Sequence, residues 1–147
     1  MGKQKYTLLI LLPILLPLLA LRGNAQEVIE LTPDDFAQKV YNFRTEGPWK
    51  YLGDKPAIID CFTPWCVHCK TLMPRLQRLA KAYAGQIIVY SINGEKAPNL
   101  MRQLGIQAYP SLLFIPMSEI PTLSMGALSE EDLIKGVESI LLKKENK

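Results

Sequence analysis

The sequence predicts a three-layer α/β domain, a central mixed β-sheet with helices on both faces. Three observations predict it. Apolar runs of strand length alternate with helical patterns, so crossover helices and parallel pairing are expected in the first part of the domain. Two later runs stand a turn apart and call for an antiparallel hairpin. A last amphipathic stretch then returns over the sheet, completing the layers.

Residues 28–31 read as a short strand. Thr32-Pro33-Asp34-Asp35 starts a helix, with threonine as N-cap, proline at the first helical position and acids in the first turn. Phe36, Val40 and Phe43 mark its apolar face. Residues 42–55 hold Gly47-Pro48 and Gly53-Asp54 and read as a loop that Trp49 and Tyr51 pack down. Residues 56–62 form an apolar strand interrupted by Asp60. Residues 66–83 form a helix with Leu72, Leu76, Leu79 and Tyr83 on one side; Pro74 inside it should kink it, and Gly85 ends it. Residues 87–92 are a buried strand, and residues 98–104 a short helix closed by Gly105. Residues 111–115 and 122–125 are the hairpin strands, joined through a turn at 116–121. Ser129 caps the final helix, with Asp132 as a weak capping box and Leu133, Ile134, Val137, Ile140 and Leu141 as its apolar stripe.

The 147 residues are 48% hydrophobic with a formal charge of +3, and the first 25 distort both figures. Lys3 and Lys5 precede an apolar run at 8–20, and Gly23-Asn24-Ala25 supplies the small residues that a signal peptidase reads. Residues 1–25 are therefore expected to be a cleavable secretory signal, cut after Ala25, with residues 26–147 as one domain. The alternative is an uncleaved anchor, for which the run is short and carries Pro13 and Pro17. The first cysteine is Cys61, far from the cut, which argues against a lipid-anchored N-terminal cysteine. Lys3, Lys5 and Arg22 are three of the 17 basic residues; the other 14 balance 14 acidic ones. A neutral mature domain offers no basic face for nucleic acid. Export places it where disulfides persist, and three cysteines leave at least one thiol without an internal partner.

Chemistry concentrates in Trp65-Cys66-Val67-His68-Cys69-Lys70. A helix starting at Cys66 puts that sulfur at its positive end and favours the thiolate, and a second thiol one turn on can close back onto it. That is equipment for disulfide exchange. The same spacing is half of a zinc site, which needs two more ligands; Cys61 and His68 do not form a second pair. Asp60 breaks an apolar strand, so its pKa should be raised. Cys61 points to the opposite face of that strand, as a small buried hydrophobe.

At larger spacing the chain resembles the thioredoxin superfamily over nearly all of residues 27–142. Asp60 stands six before Cys66, Pro74 five after Cys69, Tyr109-Pro110 precedes the strand Ser111-Leu112-Leu113-Phe114, and Gly126-Ala127-Leu128 leads into the last helix. Pro64-Trp65-Cys66-Val67-His68-Cys69 and Tyr109 are similar to protein disulfide isomerase domains, while Asp60 is thioredoxin-like and residues 112–128 resemble exported bacterial thioredoxins. Ser91 stands where thioredoxins usually carry a lysine near the buried acid.

The resemblance implies a thioredoxin fold and a protein-disulfide oxidoreductase without cofactor or metal. Cys66 is the expected nucleophile and Cys69 the resolving thiol. Asp60 would relay the Cys69 proton, with a pKa raised further for want of a lysine at Ser91. His68 would stabilise the Cys66 thiolate and shift the pair towards oxidation. Pro110 would be cis, opening Tyr109 to a substrate strand, and Trp65 would shield the sulfur and line the groove. The expected partners are protein thiols or disulfides and a membrane partner that resets the pair, with the domain a periplasmic monomer. Oxidant or isomerase is favoured over reductant, although Asp60 and the small domain resemble a general reductant. The alternatives are soft-metal handling, with Cu(I) on Cys66, Cys69 and His68, and a redox-silent binding module that uses only the groove.

Overall fold

The computed structural model describes residues 26–45 and 47–144. The expected leader at 1–25 and its cut after Ala25 lie outside the described residues. The elements run β1 (Ile29–Glu30), α1 (Pro33–Lys39), β2 (Ala57–Phe62), α2 (Val67–Ala82), β3 (Ile88–Asn93), a 3₁₀ turn (Gly94–Lys96), α3 (Pro98–Gln103), β4 (Ser111–Ile115), β5 (Thr122–Met125) and α4 (Glu130–Gly136), which passes into a π turn (Val137–Leu141).

The five strands form one sheet in the order β1-β3-β2-β4-β5. β3 pairs in parallel with β1 and β2, while β4 pairs antiparallel with β2 and β5. The sheet is therefore mixed, with β2 near its middle. Alternation along β2 divides the interior in two. Ala57, Ile59 and Cys61 join Phe36, Val40, Leu100 and Met101, the core under α1 and α3. Ile58 joins Leu72, Leu76, Leu79, Leu133 and Val137, the core under α2 and α4.

Local chemistry fixes the ends of the elements. The Thr32 hydroxyl accepts the Asp35 N–H at 3.1 Å, and the Asp35 carboxylate accepts the Thr32 N–H at 3.2 Å, a reciprocal cap for α1. Ser129 accepts the Asp132 N–H at 3.1 Å and caps α4. Gly85, at φ +81°, and Gly105, at φ +71°, take the left-handed conformation just past α2 and α3. In the 42–55 loop, Trp49 lies against Tyr41 with ring centroids 4.6 Å apart, and Trp49 and Tyr51 pack on the α1 side of the core. Phe43, past the end of α1, meets Phe36 edge-on at 6.0 Å.

Candidate active site

The site lies where β2 ends and α2 begins. Cys66 is the N-cap of α2, with extended backbone at φ −76° and ψ 110°. Its Sγ accepts the Cys69 backbone N–H at 3.1 Å. Cys66 and Cys69 are joined as a disulfide, with Cα atoms 5.3 Å apart, and both are buried. The first N–H groups of a helix lack internal partners and carry its partial positive charge, so a thiolate released at Cys66 sits against donors. Cys69, one turn inside the helix, is farther from that end.

Asp60 is fully buried, and neither of its carboxyl oxygens has a hydrogen-bond partner among the described residues. Burial alone pushes its carboxyl up to about 7. Ser91 stands directly across from it on β3, where no cation offsets the charge. Asp60, Thr63 and Cys69 line one cavity of about 230 Å³, walled also by Phe62, Lys70 and Met73. Cys61 faces the other core, and burial, with the neighbouring Asp60 charge adding, drives its thiol well above the usual range.

A second group forms the rim. Tyr109–Pro110 is a cis peptide, and Tyr109 N–H and C=O pair with no other backbone group among the described residues. The Tyr109 ring meets Trp65 edge-on at 6.5 Å. Trp65 is 66% exposed, which excludes core packing, and its Nε1–H donates to Glu95 Oε1 at 2.6 Å. The Tyr109 ring lies where a side chain on Gly94 would stand. His68 is in the first turn of α2 and faces solvent. The structure thus brings Asp60 and Cys69 to one cavity, with Cys66 bonded to Cys69, and brings Trp65 to Tyr109.

Sequence reasoning missed Glu95, Gly94 and Thr63. The Asn93-Gly94 pair was a readable turn signal, and the Asn93 side chain indeed accepts the Glu95 N–H at 3.0 Å. Nothing in the pattern marked Thr63, which sits just past the strand. No group of three or more His, Cys, Asp or Glu placed to hold a metal occurs among the described residues.

Known proteins agree with this geometry. The thioredoxin family model matches residues 27–139. The thioredoxin of Borreliella burgdorferi is 38% identical over 110 residues, covering 73% of this chain and 94% of its own. An M-type chloroplastic thioredoxin of Spinacia oleracea is 32% identical over 99 residues, and this chain spans 55% of it. The protein disulfide-isomerase A6 homolog of Drosophila melanogaster is 28% identical over 110 residues, of which this chain spans 23%. The crystal structure of chloroplastic thioredoxin z superposes with a TM-score of 0.66, covering 78% of this chain and 94% of that one; at 22% identity it speaks for the fold alone. On a family match spanning 27–139, with a cysteine pair at the start of α2 and a buried acid on β2, the chain belongs to the thioredoxin family of thiol–disulfide oxidoreductases.

Proposed function

We propose that the protein exchanges disulfides with exported proteins through a mixed disulfide on Cys66 that Cys69 resolves. One observation carries this reading: the Cys66 sulfur caps α2 and accepts the Cys69 N–H. A thiolate is favoured at that place, and the thiolate is the attacking species.

The Cys66 thiolate attacks one sulfur of a substrate disulfide, and the other substrate sulfur leaves. Cys69 then attacks Cys66 Sγ, closes the internal disulfide and releases the second substrate thiol. Every step runs in reverse when the pair oxidises a dithiol. Asp60, in the same cavity as Cys69, holds or takes the Cys69 proton. The unpaired backbone of Tyr109 suits an extended segment, which would add its main chain at this rim while Trp65 covers its flank. Substrates are then recognised largely by backbone, so partly unfolded chains fit.

The domain works as a periplasmic monomer, reset by a membrane redox partner, and its net direction is oxidation or isomerisation. His68, two residues past Cys66 in the exposed first turn of α2, supports that direction: a donor near the sulfur would favour the thiolate, stabilise the reduced pair and make the disulfide the stronger oxidant. Thioredoxin, the isomerase and the bacterial oxidase lie near about −270, −180 and −120 mV. A potential near about −180 mV or above is expected, falling by about 30 mV, or about 1.4 kcal/mol, in His68→Ala. Equilibration with glutathione measures both; an unchanged potential in the variant removes His68 from this role.

The exchange itself is tested by Cys69→Ser. Without the resolving thiol, mixed disulfides should accumulate on Cys66 and appear as reducible adducts on non-reducing gels. A variant that captures no substrate would instead favour the redox-silent binding module.

A further inference from the structure

The cavity beside Cys69 holds a polar group that the proposed exchange does not use. Thr63 is 2% exposed, and its hydroxyl, like both Asp60 oxygens, has no hydrogen-bond partner among the described residues. An unpaired buried hydroxyl carries an uncompensated desolvation cost, and buried polar groups in proteins are nearly always paired. Valine would fill the same space without that cost, so packing alone does not account for a threonine here. All three oxygens belong to residues that line one cavity of about 230 Å³ with Cys69. A buried water needs roughly 10–15 Å³ and two to four polar partners. The cavity offers both the room and the partners.

We propose that Thr63 is a positioning residue for the resolving step, its hydroxyl anchoring the water that carries a proton between Cys69 Sγ and the Asp60 carboxyl. A hydroxyl suits this place because it both donates and accepts, and so can hold a water in either phase of the transfer. The assignment rests on the exchange proposed above. As the pair becomes oxidised, the Cys69 thiol gives its proton to the anchored water while that water gives one to the Asp60 carboxylate. The Cys69 thiolate attacks Cys66 Sγ, and the bond between Cys66 and the substrate sulfur breaks. Its electron pair leaves on the substrate sulfur, which takes a proton from solvent. The substrate disulfide is the oxidant, so no further reagent is needed.

The groups around Asp60 leave the proton little other route. Its own strand adds Cys61, which faces the opposite core. α2 contributes Cys69 and, at the cavity wall, Lys70. β3 and β4 place Ser91 and Leu112 across from it, neither of them charged.

The test compares Thr63→Val and Thr63→Ser in the otherwise intact, reduced protein mixed with Ellman's reagent in stopped flow. The first thiolate released reports attack by Cys66, and the second reports resolution by Cys69. Thr63→Val should leave the first phase unchanged and slow the second about tenfold between pH 6 and 8. That is a modest part of the roughly 100-fold or more that positioned proton transfer contributes. Thr63→Ser should restore the second phase. A Val variant that resolves at the wild-type rate at every pH, or that slows both phases alike, overturns the assignment. If Thr63→Val does not fold, Thr63→Ala makes the same comparison. If the wild type releases no second thiolate, the exchange reading itself fails, and the role of Thr63 fails with it.

Discussion

Asp60 is the residue where burial and chemistry meet most directly. Unfolded, its carboxyl titrates near its ordinary value of about 3.9; folded, burial moves it to about 7. Folding therefore favours the protonated form. The stability that this group contributes is complete below about pH 4 and is lost as the pH rises through about 7. A shift of about three units corresponds to at most about 4 kcal/mol. Asp60→Asn keeps the shape and carries no charge, so its stability should exceed the wild type's by a margin that widens between pH 4 and 8. Urea unfolding of the oxidised proteins at both ends of that range checks this, and a constant difference would falsify it. The raised pKa was legible because an acid interrupts an apolar strand. The Glu95 hydrogen bond to Trp65 was not, since it joins residues 30 apart whose meeting depends on how β3 leaves the sheet.

At the scale of elements, strands and helices followed from periodicity, caps and glycines, and most boundaries fell within a residue or two of the pattern. The deviations have local causes. The expected strand at 28–31 is reduced to Ile29–Glu30, paired on one side only. The 3₁₀ turn at Gly94–Lys96 is too short to leave a periodic trace. The last helix does not run through as one α-helix: after Gly136 it widens, and the Leu142 N–H donates to the Val137 carbonyl five residues back at 2.9 Å. Gly136 itself sits against β4, where an added Cβ would stand 2.6 Å from the Phe114 ring. An alanine in a helix interior normally gains about 1 kcal/mol over glycine. Here the buried ring cannot yield easily, and overpacking costs about 1–3 kcal/mol. Gly136→Ala should therefore lower stability by about 1 kcal/mol, within that overpacking range less the helix gain. Chemical denaturation checks the sign, and a stabilised variant would show that α4 can move away from the sheet.

For the whole molecule, the two cores on either side of one sheet explain how a small domain can hold a buried acid. α2 and α4 cover the side that carries Ile58 and its neighbours, while α1 and α3 hold the other side closed. The fold class was readable because crossover and hairpin spacing leave few topologies. The cavity was not, because its walls come from β2, the segment after it and α2, and depend on packing that no single stretch encodes. The proposed export is tested on the whole chain. The protein recovered from a periplasmic extract should begin at Gln26, as an intact-mass measurement reads; a mass that retains residues 1–25 would favour the anchored form.

Cys61 gives this architecture a practical consequence. It is fully buried in a strand with neighbours on both sides, and its thiol is held far from ionisation. While Cys66 and Cys69 are joined, an alkylating reagent finds no other thiol in the 147 residues. Labelling of the oxidised protein then waits for the central sheet to come apart. The chain carries its own stopwatch for global opening, one that runs without a dye, a tag or an engineered site.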